Sequence, residues 1–348
     1  MAPTASHESG HSSVSIIVPC YNEAGTITGL LQSITAQTYP TEHLEIIVVD
    51  GRSTDGTREL VRDFAQTHPG LRVDLIDNPI RSIPAALNQG IQHSKGEVIV
   101  RLDAHSVPDE GYVRRSLEVL QATGAANVGG VWDILPSADT WIARAIAAAA
   151  AHPLGAGDAR YRISGPAGEV DTVPFGAFRR EWYDRIGPFN ESLPTNEDYE
   201  FNVRLRQAGG TVWFDPSIRS AYFARSNLRD LARQYARYGF WKSRMLRSHP
   251  DSLRWRQAIP PLFVLALLLL GVISPFSITG RLFLALSLVA YVLVTVVAGM
   301  TEAVKRREPG QAGGFPLAIW TIHFAWGSAF LWGFISALFE GGRRARRA

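Results

Sequence analysis

Apolar runs of strand length alternate with helix-patterned stretches in the N-terminal part of the chain. Four runs predict buried strands, at 15–19, 45–50, 72–76 and 98–103. Between them, apolar residues repeat at helical spacing, as over 83–92. Strands that alternate with helices predict an α/β fold around a doubly wound, mostly parallel sheet.

The C-terminal part has a different pattern, with long apolar passages at 258–273, 282–300 and 316–339. The second and third are long enough to cross about 30 Å of hydrocarbon, and the first is marginal. A basic tail at 343–347 conflicts with a third full crossing, because positive segments favour the inner side. Either the last passage is a hairpin bent near Gly327 or Gly333, or it crosses fully, which we favour.

An alanine-rich stretch lies between these two parts, at 141–151. It is too short to span a bilayer. We expect a core helix, and the alternative is a helix at the membrane surface.

Charge and cysteine content narrow the class of partner. The chain has a net charge of +3, and basic residues cluster before the first apolar passage, where an anionic membrane leaflet would attract them. The cluster consists of Arg225, Arg229, Arg233, Arg237, Lys242, Arg244, Arg247, Arg254 and Arg256. RNA-binding motifs interleaved with aromatic residues are absent, so we expect membrane lipid and no nucleic acid as a partner.

A single cysteine, Cys20, fits a reducing compartment, and nothing apolar precedes Val14, so we expect a cytoplasmic N-terminal domain.

Polar residues follow several of the predicted strands. Asp103 and His105 follow the fourth strand, and ligands of open α/β sheets bind beyond the carboxyl ends of the strands. This pair predicts a site for a divalent cation, although an isolated pair of this kind is more often a surface loop with a solvated imidazole. Asp50 lies where its carboxylate could accept a hydrogen bond from a nucleotide base or ribose, and the alternative is that it only caps the loop after its strand.

Several motifs occur in order and together resemble the nucleotide-binding half of a family 2 glycosyltransferase. They are VPCYNE (18–23), VDGRSTDGT (49–57) and RLDAH (101–105). The resemblance continues through FGAFRR (175–180), IGPFNE (186–191) and NEDYEF (196–201), and covers about two thirds of the chain. Within that family the chain is most similar to the membrane-bound, succinoglycan-type glucosyltransferases of exopolysaccharide biosynthesis.

The resemblance implies a GT-A fold, a nucleoside-diphosphate sugar donor, a divalent cation and inversion at the anomeric carbon. Carried over by position, the nucleotide site would comprise Pro19, Tyr21, Glu23, Asp50, Arg81, Asn88 and Asp103. Asp103 and His105 would be the metal ligands, although the family usually has a second carboxylate where His105 stands. An imidazole suits Mn²⁺ better than Mg²⁺, so we expect Mn²⁺ to be the favoured cofactor.

The resemblance also assigns residues to the acceptor side. Glu197 and Asp198 match an acidic motif whose aspartate is the catalytic base, whereas adjacent acids at a helix start more often serve as caps. Gln234, Arg237 and Tyr238 match the Q-x-x-R-W motif of processive members, with tyrosine in place of tryptophan. Arg237 would hold the donor diphosphate or face lipid headgroups, and one helix can do both from opposite faces.

These assignments predict the function. A sugar hydroxyl needs a base to attack, whereas a polyprenyl phosphate is already anionic, so Asp198 favours elongation of a glycolipid. We expect transfer of one hexose, with UDP-glucose the favoured UDP-hexose donor, onto a polyprenyl-diphosphate-linked sugar for exopolysaccharide or envelope glycan. The alternatives are a polyprenyl-phosphate monosaccharide synthase and, in another class, an inactive membrane-anchored nucleotide-sugar sensor.

The expected domain order follows from these patterns. A disordered tail (1–13) precedes the GT-A domain (14–225), a basic amphipathic interface region (226–257), a transmembrane region of two or three helices (258–339) and a basic tail (340–348). We expect a multi-pass protein of the plasma membrane whose catalytic domain is cytoplasmic.

Overall fold

The structure is a computed structural model that describes residues 11–345. Of the two predicted tails, residues 1–10 and 346–348 lie outside the described part. The chain divides into two compact units. Unit 1 contains the described residues up to Gly130, together with Pro166–Ser192 and Arg204–Ser220. Unit 2 contains Val131–Gly165, Leu193–Val203 and the residues from Ala221 onward.

The strands and helices follow one another along the chain in three groups. The first is β1 (Val14–Cys20), α1 (Ile27–Thr35), β2 (Leu44–Asp50), α2 (Thr57–Thr67), β3 (Arg72–Asp77), α3 (Ile83–His93) and β4 (Val98–Arg101). The second is β5 (Val107–Pro108), α4 (Tyr112–Thr123), β6 (Asn127–Pro136), α5 (Trp141–Ala150), α6 (Pro153–Ala156), α7 (Arg160–Ile163), β7 (Gly168–Glu169) and β8 (Ala177–Arg179). The third is α8 (Arg180–Ile186), α9 (Glu197–Gln207), β9 (Val212–Ala224), α10 (Leu228–Met245), α11 (Trp255–Ile273), α12 (Ile278–Arg306) and α13 (Gln311–Ala345).

The described strands form one mixed sheet in the order β3-β2-β1-β4-β8-β6-β9-β5, with β7 paired to β9. Strands β1 to β4 pair in parallel, as the alternating pattern predicted. Strand β8 is antiparallel to both β4 and β6, and β7 is antiparallel to β9. The sheet therefore combines four parallel strands with antiparallel pairs around β8 and β7. The sequence did not predict β8 and β7, because both strands are too short to give a strand pattern.

Unit 2 is built around α13, which packs against α5, α10, α11 and α12. The alanine-rich α5 is buried there, because its alanines contact Phe315, Ala318 and Ile319 of α13. The prediction of a core helix is confirmed, since small side chains allow two helices to approach closely.

Three described helices are long and apolar enough to cross a membrane: Trp255–Ile273, Ile278–Arg306 and Gln311–Ala337. The first begins earlier than its apolar passage, so its 19 residues span about 28 Å. The hairpin alternative for the last passage is wrong, because α13 is continuous through Gly327 and Gly333. Both glycines serve close packing instead. A Cβ at Gly333 would lie 1.9 Å from Ser243 Oγ, and one at Gly327 would lie 2.7 Å from the carbonyl oxygen of Pro260.

Candidate active site

The first three parallel strands of unit 1 end side by side. Cys20, Asp50 and Asp77 are paired in register at the ends of β1, β2 and β3. The loops that follow are joined, because the backbone N–H of Asn22 donates to Ser53 Oγ at 2.7 Å. Two loops predicted to contact the nucleotide therefore form one connected surface at the carboxyl edge of the sheet, where ligands of such folds bind.

Asp50 is fully buried and its carboxylate is engaged within the protein. It accepts from the Ser53 hydroxyl at 2.5 Å and from Arg58 Nη1 at 2.8 Å. Arg58 also pairs with Asp77 at 2.7 Å, and this hydrogen bond lowers the pKa of that carboxyl. Asp50 thus supports the loop, and its predicted contact with the nucleotide stays a prediction. Sequence analysis missed Arg58. A cation in the first turn of a helix is unfavourable beside the positive end of the helix dipole, so its presence there could have indicated a nearby acidic partner.

Tyr21 and Arg81 form an exposed platform at the same edge. The Tyr21 ring is 46% exposed and lies against Gly51, where a Cβ would approach within 3.0 Å. The Arg81 guanidinium carbon is 5.1 Å from the ring centroid, and its Nε donates to the Gly51 carbonyl at 2.9 Å. An open aromatic face beside a guanidinium is suited to stacking on a nucleotide base.

Three residues of these loops have left-handed backbone conformations. Asn22, Arg52 and Arg81 have φ values of 54°, 60° and 56°. Such conformations cost about 1–3 kcal/mol each in non-glycine residues and tend to occur at functional sites. Here hydrogen bonds between the loops hold them, which fixes the surface before any ligand binds.

Asn88 and Pro19 have supporting positions. The Asn88 side chain is buried, accepts from the Phe189 N–H at 2.8 Å, and donates to the Phe189 carbonyl and to Glu191 Oε1, each at 2.9 Å. It therefore anchors the segment after α8, and its predicted place beside the nucleotide is untested. Pro19 is half-buried in β1, opposite Val49 of β2.

The residues predicted to bind metal follow β4. Asp103 Oδ1 accepts from Nη2 of the buried Arg101 at 3.2 Å. His105 Nδ1 lies 3.3 Å from Glu23 Oε1, and Glu23 Oε2 accepts from Thr26 at 2.6 Å. The structure therefore brings together the loops that carry Glu23 and His105, which are far apart in sequence.

Asp103 and His105 supply one carboxylate oxygen and one imidazole nitrogen, which are donor types that bind divalent cations. Their side chains are 23% and 35% exposed, so solvent and ligands reach them. Among residues 11–345, no three His, Cys, Asp or Glu side chains are grouped to hold a metal ion. A cation here would therefore take further ligands from a diphosphate and water.

The predicted catalytic base lies in unit 2, at the start of α9. Asn196, with φ of 68°, donates from its amide to the Tyr238 carbonyl at 3.2 Å. The buried Lys242 ammonium lies 3.7 Å from the centroid of the Tyr199 ring. These two contacts fix the first turn of α9 against α10 and so determine the position of Asp198.

Asp198 and Glu197 differ in their surroundings. Glu197 is buried, whereas Asp198 is half-buried and accepts from the backbone N–H of Tyr199 at 2.7 Å. In the described part of the chain, Asp198 has no cationic side chain at ion-pair distance. Its carboxylate is therefore available to accept a proton from a substrate.

The α10 motif is divided between two faces of the helix. Gln234 is buried and donates to the hydroxyls of Tyr222 at 2.9 Å and Tyr238 at 3.1 Å. Arg237 is exposed, as is Arg233 one turn earlier. Contact between Arg237 and the donor diphosphate remains a prediction, and its exposure is equally suited to lipid headgroups.

A mixed α/β sheet whose parallel strands end in joined polar loops is the arrangement of a glycosyltransferase of GT-A fold. The chain belongs to glycosyltransferase family 2. Residues 15–187 match the family described as Glycosyl transferase family 2. The succinoglycan biosynthesis protein ExoA of Rhizobium meliloti is 30% identical over 335 residues, which are 94% of this chain and 96% of that protein.

A further relative and a solved structure are similar to this chain, and the solved structure bears on the fold. The dolichyl N-acetyl-alpha-D-glucosaminyl phosphate 3-beta-D-2,3-diacetamido-2,3-dideoxy-beta-D-glucuronosyltransferase of Methanococcus voltae is 27% identical over 94% of this chain and 98% of its own length. The mannosyltransferase PcManGT of Pyrobaculum calidifontis, solved with GDP-Man and Mn²⁺, has a TM-score of 0.60 and 23% identity over 90% of this chain and 88% of that chain. The predicted fold and enzyme class are confirmed.

Proposed function

We propose that this protein is an inverting glycosyltransferase that adds one hexose, from UDP-glucose, to a hydroxyl of a polyprenyl-diphosphate-linked sugar. The observation that carries the proposal is the half-buried carboxylate of Asp198, which meets no cationic side chain within residues 11–345. An anionic lipid phosphate would need no base, whereas a sugar hydroxyl does.

The reaction is a single displacement. The acceptor hydroxyl gives its proton to Asp198 while its oxygen forms a bond to the anomeric carbon. The bond from that carbon to the diphosphate oxygen breaks, and UDP leaves with the electron pair. Because attack and departure take place on opposite faces of the sugar, the anomeric configuration inverts.

Residues of unit 1 would bind the donor. Tyr21 and Arg81 would stack on the uracil, while Asp103 and His105 would hold the cation. When bound, a divalent cation neutralises the charge that develops on the leaving diphosphate. The Mn²⁺ and GDP-Man in PcManGT, a protein of the same fold, support this part of the proposal.

The relatives support a lipid-linked acceptor. By its name, the Methanococcus voltae enzyme extends a sugar that is already attached to a dolichyl phosphate. The name of ExoA assigns it to succinoglycan biosynthesis. Elongation of a lipid-linked glycan for exopolysaccharide is therefore the proposed context.

We further propose that α11 to α13 cross the plasma membrane and that catalysis takes place on the cytoplasmic side. Lys305 and Arg306, at the end of α12, would then lie inside after two crossings. A reporter enzyme that is active only outside the cytoplasm, fused after Ala348, tests the third crossing. We expect this fusion to be active, because three crossings place the C-terminus outside.

The central experiment combines the purified full-length protein with a panel of sugar nucleotides and defined lipid acceptors, followed by mass spectrometry of the lipid product. We expect UDP-glucose and a sugar-diphosphate lipid to yield a product larger by one hexose. Transfer to bare polyprenyl phosphate would instead identify a monosaccharide synthase. Absence of UDP release with every pair would favour the inactive sensor.

A further inference from the structure

Unit 2 contains an arginine-centred cluster that the proposed chemistry does not use. The Arg162 cluster consists of Trp132, Tyr161, Arg162, Tyr222, Tyr235 and Tyr238. The guanidinium carbon of Arg162 lies 5.4 Å from the Trp132 ring centroid and 5.5 Å from that of Tyr161. Its Nη1 donates to the Tyr235 hydroxyl at 3.3 Å. Aromatic rings thus hold the guanidinium in place without neutralising it.

The surrounding rings form a rigid frame. Trp132 and Tyr222 stack with centroids 4.3 Å apart and an interplanar angle of 3°. The Gln234 amide binds the hydroxyls of both Tyr222 and Tyr238, at 2.9 and 3.1 Å. Gln234 and Tyr238 of the α10 motif are therefore joined to this cluster through Tyr222, which stacks on the Trp132 ring that Arg162 faces.

Arg162 keeps its positive charge without an acidic partner. Across residues 11–345, no carboxylate lies at ion-pair distance from it. Burial raises the pKa of Tyr235 and Tyr238, so both hydroxyls stay neutral at physiological pH. By contrast, Arg256 of the same unit pairs with Asp158 at 2.6 Å. A partly desolvated guanidinium without a counter-charge is suited to binding an anion.

The members of the cluster differ in exposure. Tyr222, Gln234 and Tyr235 are buried, whereas Arg162 and Tyr238 are half-buried. Part of the cluster is therefore accessible to solvent.

We propose that Arg162 binds the phosphate of the lipid-linked acceptor and so positions the acceptor for transfer. The inference rests on the proposed function and deepens it. The location in unit 2 favours the acceptor over the donor, because this unit carries the apolar helices, and α13 packs directly on α10 and α5. An acceptor anchored in lipid presents its phosphate at the membrane surface, whereas the loops matching the nucleotide motifs belong to unit 1.

A binding experiment tests this without turnover. The full-length protein in lipid nanodiscs is titrated with geranylgeranyl diphosphate and with the neutral geranylgeraniol, and tryptophan fluorescence is followed. We expect the wild type to prefer the diphosphate by at least tenfold and Arg162→Met to lose that preference. Arg62→Met, which removes an exposed arginine of α2, is the matched control and should behave like the wild type.

The affinity for UDP shows whether the cluster belongs to the acceptor site or to the donor site, and it also shows whether the variant is folded. It should be unchanged in Arg162→Met, and a clear loss in that folded variant would assign the cluster to the donor and overturn the proposal. Unchanged preference for the diphosphate in Arg162→Met would overturn it too. Arg162→Lys, which keeps the charge, should retain part of the preference, and complete loss in a folded Lys variant would contradict an electrostatic role.

The test also separates this inference from the proposed function. Absence of sugar transfer by a wild type that binds the diphosphate normally would refute the proposed function and leave the anion site standing. The opposite result is also distinguishable. If the wild type transfers sugar and Arg162→Met transfers it equally well at limiting concentrations of the lipid acceptor, the anion site is refuted and the proposed function stands.

Discussion

The polar groups at the carboxyl edge of the sheet in unit 1 differ from those around α9 and α10 in unit 2. In unit 1 the acids are paired: Asp50 with Arg58, Asp103 with Arg101, and Glu23 with His105. In unit 2, as far as residues 11–345 show, Asp198 meets no cation and Arg162 meets no acid.

This difference indicates two ways of preparing for a substrate. The paired groups of unit 1 are held by their partners within the protein, so a ligand or cation that binds them would have to replace one of these partners. Under the proposed mechanism, the single charges of unit 2 would be compensated when a substrate supplies a hydroxyl proton or an anion. Variants in unit 1 should therefore alter donor and metal binding, whereas variants in unit 2 should alter turnover and acceptor binding.

The largest effect is expected for Asp198→Asn, which would remove the proposed base and nearly preserve the shape of the side chain. We expect kcat to fall by about 10²–10⁴, since general-base catalysis contributes that much. The affinity for UDP, measured by calorimetry, should change little. Asp63→Asn, on the exposed side of α2, is the control. Turnover retained in Asp198→Asn would remove the base from the mechanism and weaken the contrast between the units.

A smaller loss is expected for Asp103→Asn. Removing a carboxylate that helps to stabilise the leaving group should lower kcat/KM by about 10²–10³ and raise the Mn²⁺ concentration needed for half activity. Asp109→Asn breaks a similar pair, with Arg115 at 2.8 Å, and should leave metal dependence unchanged. Chelation with EDTA should abolish activity, and added Mn²⁺ should restore it. An enzyme fully active in EDTA would end the metal hypothesis.

His105→Asp should change selectivity more than rate. An aspartate supplies a second oxygen ligand, which Mg²⁺ prefers, so the ratio of activity with Mg²⁺ to activity with Mn²⁺ should rise severalfold. The ratio is measured at saturating concentrations of each ion. If it does not move, His105 is not a ligand, and its contact with Glu23 is structural only.

The smallest effect concerns the stability of unit 1. Burial tends to raise the pKa of Glu45, but hydrogen bonds from the Lys95 N–H and the Ser15 hydroxyl, together with the Arg72 charge, outweigh it and lower the pKa below 4.5. A depressed pKa stabilises the fold above about pH 4.5, and this contribution disappears as the pH falls through the folded-state pKa. Glu45→Gln should therefore cost about 1–3 kcal/mol at neutral pH and progressively less in acid.

Thermal unfolding of both proteins across a pH series measures this difference. Glu42→Gln, at an exposed position before β2, should match the wild type at every pH. A gap between Glu45→Gln and the wild type that stays constant into acid would show that packing, rather than charge, is responsible.

Much of the fold could be predicted because its signals are local. The strands β1 to β4 are continuous apolar runs, and their polar ends follow directly in the sequence, so the positions of Asp50, Asp103 and His105 at or just after strand ends could be predicted. The antiparallel half could not be predicted in the same way. Strand β8 has only three residues, and its partners β4 and β6 are far away along the chain.

The candidate site shows the same limit at the level of single side chains. The apolar helices followed from the sequence pattern, and the motifs that resemble the family, including the one with the carboxylate at position 198, could be read directly, because each depends on residues close together in sequence. Only the tertiary structure decided that Arg58 pairs with Asp50, that Arg237 is exposed, and that Arg162 lies against Trp132 and Tyr235. Such choices depend on which face of a helix is covered by distant segments, and no local pattern encodes that.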